Sequence, residues 1–202
     1  MEKIANALTN RLYANKNLPE ELREVYAYGF KLMLADVTNA AVVLLLGLLL
    51  HRFTVSLVFV VTLCSVRNFS GGFHAKTFHA CRLSMLLTFF ITLGAFELLV
   101  RCQTYLNGAL LILLALLGVA NTGMMVLLAP VPHPNKTLNT EQKAKNKAKA
   151  VILTAALSVL SILCTFLGIR EGIAIAVTLT AVSVLMPIGR KNQPANKKSR
   201  LK

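Results

Sequence analysis

Several signatures of common chemistry are missing from this chain of 202 residues. It has no P-loop to cradle phosphate, no HExxH zinc helix and no aspartate pair of a metal-dependent transferase. No internal repeat is present. Four cysteines (Cys64, Cys81, Cys102 and Cys164) form no CxxC pair, so the spacing demands neither a disulfide nor a metal. Neither a metal nor a cofactor is therefore expected. Charge is also scarce, at 15% of residues, against 55% hydrophobic residues and a mean hydropathy of +0.63. That balance is too apolar for an ordinary soluble domain. The first thirty residues mix charges and lack an uninterrupted apolar core, so no cleavable signal peptide is expected. The first apolar block would instead act as an uncleaved signal-anchor.

What is present is a series of six apolar blocks, roughly 30–50, 53–66, 83–100, 106–129, 150–169 and 171–189. Most approach the ~20 residues that a helix needs to cross a bilayer. The fold expected is an all-α integral membrane protein of about six transmembrane helices. It would form a single domain over residues 1–189, with an amphipathic interfacial region over 1–29 and a basic, disordered tail over 190–202. In the first region Ile4, Ala7, Leu8 and Leu12 share a helical face. A break at Asn17-Leu18-Pro19-Glu20 precedes a second helix, Glu20 to Phe30, that runs into the first span. The second block is short. Fourteen residues reach only ~21 Å, less than the ~30 Å hydrocarbon core. It must borrow residues from the polar stretch after it, thin the bilayer or end inside it.

The net charge of +14 could point to nucleic acid, but the cations lie in the gaps between apolar blocks. Nineteen of the 22 Lys and Arg fall in the N-terminal region, 67–82, 130–149 and the tail; Arg52, Arg101 and Arg170 remain for the other side. By the positive-inside rule the nineteen are cytoplasmic, with both termini inside an even number of spans. Nucleic acid is therefore not an expected partner, whereas anionic membrane lipid is. The fourth block leaves through Ala129-Pro130-Val131-Pro132-His133-Pro134-Asn135, which cannot be helical, into a basic helix start over Glu141 to Lys149.

Reactive side chains crowd into one place, residues 67–82. Arg67, Asn68, Ser70, Gly71, Gly72, His74, Lys76, His79, Cys81 and Arg82 occur there with no acid among them. Lipid cannot satisfy such a backbone, so the segment belongs at the membrane surface or in a protein-lined cavity. Ionisable groups there are a functional-site hypothesis by default. Cysteine attacks as a thiolate, which a base or a positive setting favours. His74 lies seven residues before Cys81 and shares its helical face, but a straight helix would hold the Cα atoms ~10.5 Å apart. That pairing requires the helix to start after His74 or to bend, and Gly71-Gly72 supplies the freedom. His79 is the competing base if the segment is extended. A zinc site from His74, His79 and Cys81 fits no common ligand spacing. Each residue alone has a bland reading: an interfacial histidine, a structural cysteine, a packing hydroxyl at Ser84. Their conjunction gives the catalytic reading equal weight.

The run R-x4-G-x-H-x6-C, present as Arg67, Gly72, His74 and Cys81, resembles the signature of the accessory gene regulator B (AgrB) family of membrane cysteine endopeptidases. The likeness extends to the length, the block order and the Ala-Pro exit with its Asn-Lys, here Ala129, Pro130, Asn135 and Lys136. Thr137 departs from the proline that many relatives carry there. The resemblance implies Cys81 as nucleophile and His74 as its base. It also implies supporting or substrate-binding roles around Arg67, Ser70, Gly71, Gly72 and Lys136. The partner implied is an AgrD-like precursor of a quorum-sensing peptide, cleaved to a thioester on Cys81 that closes as a lactone or thiolactone. A homodimer in the cell membrane, with a cytoplasmic site, completes the expectation. Two other classes remain: a small transporter or channel with a re-entrant polar element, which needs no nucleophile, and a scaffold or sensor tolerant at both His74 and Cys81.

Overall fold

A chain that crosses lipid can satisfy its backbone groups only within a helix or a closed barrel, and the apolar blocks of this sequence take the first solution. The computed structural model describes residues 2–15, 19–70, 78–131 and 139–191. Among these the chain is helical, without a strand. It consists of α1 (Glu2–Asn15), a 3₁₀ turn (Glu20–Leu22), α2 (Arg23–Leu49), α3 (Phe53–Ser70), α4 (Phe78–Leu128), α5 (Thr140–Phe166) and α6 (Glu171–Lys191). Six stretches are long and apolar enough to cross a membrane: Glu20–Leu49, Phe53–Ser70, Cys81–Gln103, Asn107–Leu128, Thr140–Phe166 and Glu171–Ile188.

The third and fourth spans both belong to α4, whose 51 residues would make a rod ~76 Å long if straight. It cannot be straight. The Val131 backbone N–H donates to the Ser70 carbonyl at 2.9 Å. Only seven residues link Ser70 to Phe78 and two link Leu128 to Val131, so chain reach holds the two ends of α4 within ~45 Å. The chain therefore doubles back within α4, whose two apolar stretches are divided between Gln103 and Asn107. Side-chain packing agrees: Phe96 and Leu110 share one buried cluster, and Met85 and Met125 share another.

The short second span is completed by borrowing. Helix α3 runs four residues past the apolar block, through Arg67 to Ser70, so its 18 residues reach ~27 Å. The basic stretch before the fifth block is likewise not a loop. It is the first part of α5, started by Asn139, whose backbone N–H donates to the Gln142 side chain at 3.3 Å.

Helix α6 is the centre of the bundle: 56% of its span is buried, against 22–39% for the other five. Ile173, Ala174, Leu179 and Met186 on α6 are fully enclosed. One core cluster, with Phe59, Phe89, Met125 and Leu179, lies toward the Ser70 end; the other, with Val55, Leu114 and Ile173, lies toward the far end. Phe59 and Phe89 meet at 5.4 Å between centroids, tilted by 62°. The far end is closed by Arg52, which binds Glu97 at 2.5 and 3.2 Å, and by Thr54 Oγ1, which donates to Glu171 at 3.1 Å.

In α1 the sequence-based face is rotated slightly. Ala5 and Thr9 are buried against α2, while Ile4 is 56% exposed and Ala7 is also exposed. Small residues win the contact because they let two helices approach closely. Helix α1 runs antiparallel to the start of α2: Glu2 pairs with Lys31, Asn10 accepts from Arg23 Nη2 at 2.8 Å, and the Tyr13 and Tyr26 rings meet edge to face at 6.2 Å. The helix expected over Glu20 to Phe30 and the first apolar block form one element, α2.

Two measurements check this packing. A methyl group at Gly172 would lie 2.7 Å from the Ser161 carbonyl and Thr165 Oγ1, whereas nothing lies within 4 Å at Gly94. Gly172→Ala is therefore expected to cost ~1–3 kcal/mol, and Gly94→Ala to be neutral or stabilising by up to ~1 kcal/mol. Thermal unfolding of both in one detergent compares them, and equal melting would contradict the α5–α6 contact. The Lys31 ammonium holds the Glu2 carboxyl below its ordinary value of 4.5 through a hydrogen bond and its charge. A depressed folded pKa means the contact contributes above the ordinary value and is lost as pH falls through the folded one. A fluorescence pair placed beside Glu2 and Lys31 should thus report loosening of the first turn of α1 as pH falls below 4.5, while the rest of α1 stays docked through Ala5 and Thr9.

Candidate active site

The 67–82 stretch is divided between two helix ends. Arg67, Asn68, Phe69 and Ser70 form the last turn of α3, and Cys81 and Arg82 lie in the first turns of α4. Gly71, Gly72, His74 and Lys136 lie outside the described residues, as does the His79 side chain. The His74–Cys81 pairing and the zinc alternative therefore have no measured geometry. The helical run that carries Cys81 begins at Phe78.

Cys81 is half-buried and free, the fourth residue of α4. The first turn of a helix leaves backbone N–H groups without intrahelical acceptors, and Cys81 lies within that turn. Ser84, one turn on, is half-buried, and its carbonyl accepts from Thr88 Oγ1 at 2.7 Å. Ser70 is fully buried at the end of α3, and its carbonyl is engaged by Val131. Arg67 is half-buried one turn earlier, and Asn68 is exposed.

The Val131–Ser70 hydrogen bond has a direct consequence for the site. Residues 71–77 leave from Ser70 and residues 132–138 leave from Val131, so the segments with His74 and Lys136 start side by side. Chain reach alone keeps the Cα of His74 within ~15 Å of this bond and that of Lys136 within ~18 Å. Helix α5 joins the same end. Lys149 Nζ sits 5.5 Å from the centroid of Phe69, the residue before Ser70. Lys143, Lys145 and Lys147 continue outward along α5, and Lys145 pairs with Glu141 at 2.6 Å. The same end of the bundle is thus cationic and joins α3, α4 and α5.

Helix α2 supplies a member that sequence reasoning passed over. Arg82 Nε donates to Asn39 Oδ1 at 3.2 Å, and Asn39 is only 4% exposed. The available signal was an amide within an apolar block, where polar side chains are expensive and usually partnered. From Asn39 back to Arg23, α2 extends ~24 Å further, with α1 folded along it, so this helical hairpin flanks the cationic end.

The other thiols stand apart. Cys64 and Cys102 are exposed and Cys164 is half-buried, all three free. Cys64 lies on the outward face of α3, and Cys164 is half-buried on α5 beside Gly172 of α6. Among the described residues no three His, Cys, Asp or Glu side chains gather as a metal site.

The contact between the two exits is directly testable. In a chain stripped of its native cysteines, Ser70→Cys with Val131→Cys should form a disulfide under mild oxidation, because hydrogen-bonded backbones at 2.9 Å bring the Cα atoms within bridging range. No cross-link, read as a shift of proteolytic fragments on a non-reducing gel, would contradict the arrangement.

Comparison with known proteins adds to this geometry. The family model described as Accessory gene regulator B matches residues 2–186. An AgrB-like protein 2 of Clostridium perfringens (strain 13 / Type A) is 27% identical over 155 residues, covering 74% of this chain and 69% of the relative. An AgrB-like protein of Clostridium perfringens (strain SM101 / Type A) is 25% identical over 155 residues, with the same coverage. No solved structure matches significantly.

Proposed function

Since the chain belongs to the accessory gene regulator B family, we propose that it is a membrane-embedded cysteine endopeptidase that processes a small quorum-sensing peptide precursor. The observation that carries the reading is the place of Cys81. It is a half-buried free thiol in the first turns of α4, at the bundle end where the His74 and Lys136 segments start side by side.

In the proposed reaction His74 takes the thiol proton and the Cys81 sulfur attacks the carbonyl carbon of a bond in the C-terminal part of the precursor. The negative oxygen is held by backbone N–H donors, from the start of α4 or from Ser70-Gly71-Gly72, or by the Asn68 side chain. The C–N bond breaks, the leaving amine receives the proton from His74, and the N-terminal part remains on Cys81 as a thioester. A thiol or hydroxyl of the bound peptide then attacks the thioester carbonyl. The bond to Cys81 breaks, the ring closes as a thiolactone or lactone, and Cys81 recovers its proton. The thioester stores much of the free energy of the cleaved bond, so closure needs no ATP. Enclosure by the bundle favours ring closure over hydrolysis because it limits water.

Substrate capture rests on charge. An acidic leaving peptide would be drawn to the lysines of α5 and to Arg67 and Lys136, and anionic lipid heads would meet the same surface. The positive-inside distribution supports a cytoplasmic site with both termini on that side. A homodimer is part of the proposal on the strength of the family likeness.

The test is mass spectrometry after co-expression with an AgrD-like precursor. The unaltered chain should yield the truncated or cyclised peptide. Cys81→Ala should abolish it, and His74→Ala should reduce it by ~10²-fold or more. Cleavage that persists without Cys81 would contradict the enzyme reading and bring forward the transporter or scaffold.

A further inference from the structure

Among the cations near Cys81, one is placed by a residue from a distant part of the chain. Arg82 comes directly after Cys81, and its Nε–H is directed at the Asn39 carbonyl oxygen, 3.2 Å away and 43 positions earlier in sequence. Asn39 is buried in α2, a helix whose other partners are chiefly α1 and α3. A buried amide without a partner is costly, so this bond accounts for how Asn39 is tolerated in the first span. It also holds the guanidinium in one place. Among the described residues no acid lies within ion-pair distance of Arg82: the four ion pairs join Arg23 to Glu20, Lys31 to Glu2, Arg52 to Glu97 and Lys145 to Glu141. No described carboxylate therefore neutralises Arg82, and its charge is anchored one residue from the thiol.

We propose that Asn39 is a positioning residue for Cys81, acting through Arg82. The Asn39–Arg82 bond ties the first turns of α4 to α2 and keeps a positive charge beside the sulfur, favouring its attack on an electrophile. The proposal rests on the reading of Cys81 as the nucleophile, and it names a residue outside the 67–82 stretch. A merely structural bond would loosen the bundle and change the accessibility of all four cysteines together. A positioning bond changes Cys81 alone.

The difference can be read with iodoacetamide on the full-length protein in native membranes. Alkylation of Cys81, Cys64, Cys102 and Cys164 is followed separately by peptide mass spectrometry at one neutral pH. Asn39→Leu keeps the volume and removes the acceptor, and should slow Cys81 about fivefold or more while leaving the other three within about twofold. Asn39→Gln keeps a neutral amide oxygen able to reach the guanidinium and should recover much of the rate, whereas Asn39→Asp would neutralise the charge and should not. Arg82→Gln should slow Cys81 at least as much as Asn39→Leu, and the double variant should be no slower than Arg82→Gln alone, because both act through one bond. An unchanged Cys81 rate in Asn39→Leu, a parallel change at all four cysteines, or additive effects in the double variant would each overturn the proposal. Alkylation needs no precursor, so such a result leaves the enzyme reading intact. Precursor cleavage that persists in Cys81→Ala would sink the enzyme reading instead, whatever the alkylation rates.

Discussion

One backbone hydrogen bond, from the Val131 N–H to the Ser70 carbonyl, organises much of this molecule. It closes the ends of the second and fourth spans against each other. Given that closure, α4 must double back, and the six apolar stretches become six antiparallel crossings. The same bond decides where polar chain can be accommodated. Irregular backbone is tolerated near a membrane only where protein or water satisfies it. Here the chain leaves the described helices at the two residues that the bond joins, at one end of one bundle.

The bundle behind that end is built for rigidity. Its central helix, α6, is enclosed by α3, α4 and α5, and small polar side chains mark several crossings. Asn121 Nδ2 donates to Thr180 Oγ1 at 3.1 Å, and Ser161 Oγ donates to the Gly172 carbonyl at 2.6 Å. In lipid, close approach and interhelical hydrogen bonds replace much of the hydrophobic drive that holds soluble bundles together. A frame of this kind holds the start of α4, and Cys81 with it, against α2 and α3. The contrast between the ends of the bundle fits such a division. The far end carries the Arg52–Glu97 pair and Thr54 against Glu171; the Cys81 end carries Lys149 on Phe69 and further lysines along α5.

Much of this was legible in the sequence because span length and cation placement are local properties. Six apolar blocks predicted six crossings, and the shortness of the 53–66 block predicted that the chain would borrow from its neighbour, as α3 does through Ser70. The basic start of α5 was legible for the same reason. What escaped was long-range. Nothing local in Asp36-Val37-Thr38-Asn39 announces a partner 43 residues later, and Phe69 gives no sign that Lys149 will cover it. The face of α1 was misread by one position, because Ile4 outranks Ala5 in hydrophobicity while close packing favours the smaller residue. The His74 half of the candidate pair lies outside the described residues, so its place rests on the motif.

The central claim is that Cys81 carries the peptide during the reaction. It is tested most directly by stopping the protein with acid during turnover of an AgrD-like precursor and measuring its intact mass. The account predicts a population heavier by the N-terminal part of the precursor, with the added mass on the peptide that contains Cys81 and released by neutral hydroxylamine, as a thioester requires. Turnover with no added mass at any time point, or an adduct on Cys64, Cys102 or Cys164 instead, would contradict it.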